Sequence, residues 1–187
     1  MMKFKLNCQS LLKKSTEIKK GLGRFVPESA LDHVCELILT NPFHLHITAP
    51  RLTKLGDFRV SSKGLHRISV NGDLNSYAFL ITLIHEIAHL RTWDQHGRKV
   101  MPHGNEWKQE YTRLLKPLLK DGVFPEDVAL VLGQYAGKPT ASSCTHLPLQ
   151  RALQHYDDKI EFTVERVLEG KRFEFRGKQY IKGKKNR

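Results

Sequence analysis

Cysteine is scarce in this 187-residue chain: Cys8, Cys35 and Cys144 stand far apart and no C-x-x-C pair occurs. A cysteine zinc ribbon is therefore excluded, and the sparse thiols suit a reducing compartment. Acidic residues are also few, 19 against 31 Lys and Arg, which leaves +12 with His neutral. That excess favours polyanionic partners, nucleic acid before an acidic membrane surface, and says nothing about fold. No run approaches the ~18 apolar residues of a membrane span. The basic opening stretch MMKFKLNCQSLLKKSTEIKK has no apolar segment of the secretory kind. The expectation is a cytoplasmic protein, nucleoid-associated if it meets DNA, with no membrane partner. No internal repeat or low-complexity segment is present.

Hydrophobic residues make up 40% of the chain, with nine Phe, five Tyr and two Trp, enough for a core without staples. Residues 1–24 read as a Lys-rich terminal helix or docking arm. PESALDHVCELILTN reads as a helix opened by Pro27, with Ala30, Val34, Leu37 and Ile38 at helical spacing. Three strand-like segments follow, FHLHITAPR, KLGDFRVSS and GLHRISVNG, with a turn at Lys63-Gly64. They predict a small antiparallel or mixed sheet. LNSYAFLITLIHEIAHLRTW is apolar nearly all round, which predicts a central buried helix ending near Gly97. NEWKQEYTRLLKPLLKDG predicts another helix, with a buried stripe through Trp107, Tyr111, Leu114, Leu115 and Leu118 and a kink or new turn at Pro117. FPEDVALVLGQY, closing near Gly133, and LPLQRALQHY predict two more helices, with the linker-like GKPTASSC between them. The last stretch, with turn points at Gly170 and Gly177, predicts a β-hairpin, and residues 171–187 carry eight Lys and Arg against one acid. The division is a basic arm (1–24), an α+β core (25–122), and a helical linker with a basic hairpin (123–187).

One motif carries chemistry. His85-Glu86-Ile87-Ala88-His89 is H-E-x-x-H. On a helix, positions i and i+4 share a face, so both imidazoles reach one metal ion, while Glu86 reaches a water on that ion without ligating it. Zinc lowers the pKa of such a water towards ~7 and the carboxylate takes the proton. For this composition chance supplies about 0.03 such motifs per chain. Two histidines and a Glu in an apolar helix are costly to bury without a partner.

A catalytic zinc needs a third protein ligand and an open position. His103, in Pro102-His103-Gly104, is the preferred candidate, because its loop must fold back over the helix and Gly104 gives backbone freedom there. His96 is nearer, at the helix end. Glu106 or Glu110 would serve instead in a glutamate-type zincin, where the next helix supplies a carboxylate.

HEIAHL, a short insertion and then HGNEW resemble the SprT-like zinc metallopeptidase family, which includes the DNA-dependent protease Spartan. The likeness is best from Leu55 to about Leu119. TKLGDFR, HRISVN, FPEDV and GKRFEFRGKQYIKG look like a bacterial, Bacteroidetes-type branch. The resemblance implies a compact α+β zincin with one zinc on His85, His89 and His103 and with Glu86 as general base and acid. It also implies metal-dependent peptide-bond hydrolysis, directed in relatives at proteins crosslinked to DNA. The chain departs from the family where many relatives carry a Cys-based zinc ribbon, so no second zinc is expected.

Three function classes follow. The first is a zinc endopeptidase, with the strand HRISV pairing an extended substrate. The second is a DNA-binding module with structural zinc, its phosphate contacts coming from Lys13–Arg24 and Lys171–Arg187. The third is a glutamate-type zincin peptidase. Trp93, Trp107 and Tyr111 are expected in the core, as is Cys35. Tyr77 and His66 are candidates for the cleft.

Overall fold

The computed structural model describes residues 8–137, 146–158, 164, 167–175 and 177–184. The chain forms two compact units, Met1–Asp157 and Asp158–Arg187. The expected linker GKPTASSC with Cys144, and the first seven residues of the basic arm, lie outside the described residues, save Gly137.

The first unit holds helices α1 (Cys8–Leu22), α2 (Leu31–Thr40), α3 (Ser76–His96), α4 (Asn105–Lys120), α5 (Glu126–Gly137) and α6 (Leu147–Gln154). Strands β1 (His44–Thr48), β2 (Gly56–Arg59) and β3 (Arg67–Asn71) form a mixed sheet of order β1-β3-β2. β1 runs parallel to β3, with Leu45 beside Ile68, and β2 runs antiparallel, with Phe58 beside Ile68. Gly64, at φ +109°, takes the positive φ the β2–β3 turn needs. An α+β architecture is thus present.

α3 is the centre of this unit. Thirteen of its residues, from Ala78 to Thr92, are buried, as its all-round apolar sequence predicts. Ile68 and Val70 of β3 join it in the core, with Trp107, Tyr111 and Leu115 of α4. Buried Ser69 and Asn71 find a partner in Arg51, whose Nε donates to Asn71 Oδ1 at 2.7 Å and Nη1 to Ser69 Oγ at 3.0 Å. Cys35 is buried, with Sγ 3.2 Å from Ser15 Oγ.

Three expectations change. β3 is the middle strand and both its edges are paired, so HRISV has no edge to offer a substrate; the edge strands are β1 and β2, and β2 is the one that meets α3 at Glu86. α4 continues through Pro117 to Lys120, because only one backbone donor is lost there. α5 passes Gly133 and extends to Gly137, because an isolated helical Gly costs only ~1 kcal/mol against neighbours that pack. Leu132, Tyr135 and Ala136 are buried around it.

The second unit contains an antiparallel hairpin of β4 (Arg172–Phe175) and β5 (Lys178–Ile181), with Gly170 and Gly177 both at positive φ as the turn reading expects. Phe173 stacks on its cross-strand partner Tyr180 at 5.6 Å.

The start of α3 is fixed by Asn75. Its side-chain oxygen accepts from Ala78 N–H at 2.9 Å, and its Nδ2 donates to Leu153 O at 2.9 Å and Asp157 Oδ1 at 2.6 Å. One residue thus caps the central helix and ties α6 to it. Asn75→Ala should cost about 2 kcal/mol in urea unfolding, cap and tertiary bonds together. A loss below about 0.5 kcal/mol would show that the cap holds nothing.

Candidate metal centre

His85 and His89 lie one turn apart on α3 and project to one side, as i and i+4 spacing requires. Gly97, at φ +57°, ends the helix, and the chain returns through 98–104 to bring His103 over the same point. The three Nε2 atoms lie 3.1, 3.2 and 2.8 Å apart. A tetrahedral ion bonded at about 2.0–2.1 Å holds its nitrogens about 3.3 Å apart. These three histidines are therefore close enough to bind one metal ion.

The backbone strain sits at His103 itself, whose φ is +60°. A non-glycine residue rarely takes this conformation, and it is kept here at the residue that completes the cluster. Gly104 is extended, with φ −68°, so its role differs from the expected flexibility. A Cβ there would stand 2.9 Å from Met101 O, and only glycine allows that close approach.

Trp107 forms the floor beneath all three rings, with centroids 4.6 Å from His85, 5.2 Å from His89 and 4.6 Å from His103. Tyr111 stacks under Trp107 at 5.0 Å. Both are fully buried, as their helical spacing predicts. This apolar floor sets the charge state of the histidines. Burial, then the neighbouring rings, lowers His85 to about 2 and His89 to about 3; burial also lowers His103. Neutral imidazoles are the form that ligates metals.

Glu86 is buried on the side of α3 that meets β2. Burial pushes its carboxyl up to about 8, and Asp57 adds to the rise against the smaller opposing pull of Arg51, Lys54 and the Phe58 N–H. Asp57 is itself tied to Lys54 at 2.8 Å and to Arg59 at 2.6 Å. Gly56 packs directly on the Glu86 carboxylate, and a Cβ at Gly56 would collide with it and stand 2.8 Å from Thr82 Cγ2.

The other candidates have separate fates. Glu110 is buried, pairs with Arg91 at 2.7 Å and Arg113 at 2.7 Å, and stands outside the cluster. Glu106 and His96 lie outside the cluster. The group that comes together among the described residues is the three-histidine one, not a glutamate-type set. His66 Nδ1 accepts from Ser61 N–H at 3.0 Å, and its ring meets Phe58 edge-on at 5.7 Å. Tyr77 packs against Phe124 and Tyr156 as a core residue. Trp93 is half-buried rather than in the core. Sequence reasoning missed Gly56, Asp57 and Phe58. The available signal was a glycine inside a strand pattern, which marks close approach by another group.

No family model matches the chain, and no curated protein or solved structure matches it either.

Glu86 gives the site a pH signature. Between the ordinary carboxyl value of 4.5 and about 8, the native state keeps a proton that the unfolded chain has lost. Its contribution to stability is therefore present in acid and is lost as pH rises through that window. The depressed histidines act in the opposite direction, removing stability as pH falls below about 6.5. Metal-free wild type should thus lose stability from pH 5 to pH 8 relative to Glu86→Gln, on the order of a few kcal/mol. Parallel stability curves for the two proteins would contradict a carboxyl held neutral by burial.

Proposed function

We propose that the protein is a zinc-dependent endopeptidase of the SprT-like type. The observation that carries this reading is the convergence of three neutral imidazole nitrogens beside a buried carboxylate. An all-imidazole donor set suits zinc among the divalent metals, and three protein ligands leave a position open for a reactant. When bound, zinc supplies a Lewis acid that polarises the scissile carbonyl and acidifies water, and its charge favours the ionised form of Glu86.

The chain's own residues supply the rest. His85, His89 and His103 would hold the ion through their converging Nε2 atoms. Glu86 takes a proton from the attacking water and hands it to the departing amine. Gly56 packs against that carboxylate from β2 and limits where it can move. Among the described residues β2 has a strand partner on one side only, so its other edge suits an extended peptide added as a further strand.

Charge supports DNA-bound proteins as the substrate class. The chain carries +12. Lys13, Lys14 and Lys20 are exposed on α1, and Arg172 and Lys178 are exposed on the hairpin. The same basic residues would serve a DNA-binding module with structural zinc, and activity separates the two.

Glu86→Gln should keep one zinc per chain and lose hydrolysis of a denatured protein by at least about a hundredfold, the scale of a general base. Gly56→Ala should keep zinc and lose at least about tenfold, because the carboxylate is displaced. Wild-type turnover should rise with added DNA at low salt and fall back at high salt. Equal activity of wild type and Glu86→Gln would exclude the peptidase.

A further inference from the structure

A pocket of about 310 Å³ opens beside the histidine cluster. His89 and Trp107 form the wall it shares with the metal centre. Phe58 and Val60 line it from the end of β2, Met101 from the loop that carries His103, and among its described lining residues Arg98 alone is charged. Phe58 lies parallel to the His89 ring at 6.5 Å, so the strand edge, the pocket wall and a metal-binding imidazole are in one stack.

Three features identify the occupant. The wall is largely apolar, so the group that enters is apolar. The volume lies at the bottom of the about 300–1,000 Å³ range of small-molecule sites, which suits one large side chain. The pocket shares His89 with the cluster, so a chain whose carbonyl meets the metal carries a neighbouring side chain to its mouth. We propose that this pocket selects substrates by receiving a large apolar side chain, Phe, Leu, Met or Tyr, next to the scissile bond. The proposal rests on the zinc peptidase reading and adds its sequence preference. Val60 and Met101 are exposed at the pocket's edge, at 45% and 75%, so changing them reshapes the pocket without disturbing the core.

The test uses the zinc-loaded full chain and two probes that differ only in their apolar tail, acetohydroxamate and 3-phenylpropanohydroxamate. Calorimetry should show the phenyl compound binding at least tenfold tighter. Val60→Trp, which fills the pocket, and Met101→Asp, which charges it, should each remove most of that margin. Cleavage sites mapped in a mixture of peptides should be enriched for large apolar residues on one side of the cut, and the enrichment should fall in both variants. Equal affinity of the two probes, or cleavage with no apolar enrichment, overturns the pocket and leaves the peptidase standing. Discrimination between the probes without any cleavage shows an apolar-binding pocket beside the metal but overturns the peptidase, and substrate selection with it. If neither probe binds and elemental analysis finds no zinc, both readings fall together.

Discussion

Three imidazole nitrogens within 3.2 Å of one another cannot all be satisfied by protons. A ring that donates from Nε2 serves one neighbour and leaves the third lone pair facing the others. Their surroundings hold the rings neutral, so charge does not drive them apart, but neither does it relieve the convergence. A cation at the common point would resolve the conflict, and several local features converge on that point. The left-handed backbone at His103, the bare Gly104 against Met101 O and the Trp107 floor are costs or constraints that make sense around it.

The second constraint is the burial of Glu86. A carboxyl pushed up to about 8 is unfavourable as an isolated core group, and useful where it must exchange protons near neutrality. β2 is the element that makes this burial possible. Gly56 lies against the carboxylate, and the strand continues into the apolar pocket through Phe58 and Val60. One short edge strand thus lies against Glu86 and forms part of the pocket wall, and in the proposed peptidase it would position the proton-transfer group and receive an extended chain. Its position follows from the sheet order, in which β3 occupies the middle.

Much of this was legible in the chain itself, for physical reasons. Residues that act through their own helical spacing were visible: His85, Glu86 and His89 on α3, and Trp107 and Tyr111 on α4. His103 was legible because a loop between two packed helices has few places to go. Strand order was not legible, since HRISV and KLGDFR have similar patterns and only tertiary packing decides which is central. Arg113 stands at i+3 from Glu110 on α4 and was a readable partner, but the Arg91 contact was hidden, because Arg91 lies on α3 and the pair forms only when α3 and α4 pack. Gly56 was visible as a glycine in a strand, but its partner lies 30 positions away and nothing local names it.

Metal binding by the histidine cluster tests the central claim most directly. Purified protein, stripped and titrated with zinc, is measured by elemental analysis and competition with a chelator, beside His103→Ala. The account predicts one equivalent for wild type and affinity reduced at least about a hundredfold in the variant, beyond the 10–100-fold typical of outer-shell changes. A folded wild type that takes up no zinc, or a His103→Ala protein that binds it as tightly, would contradict the three-histidine site.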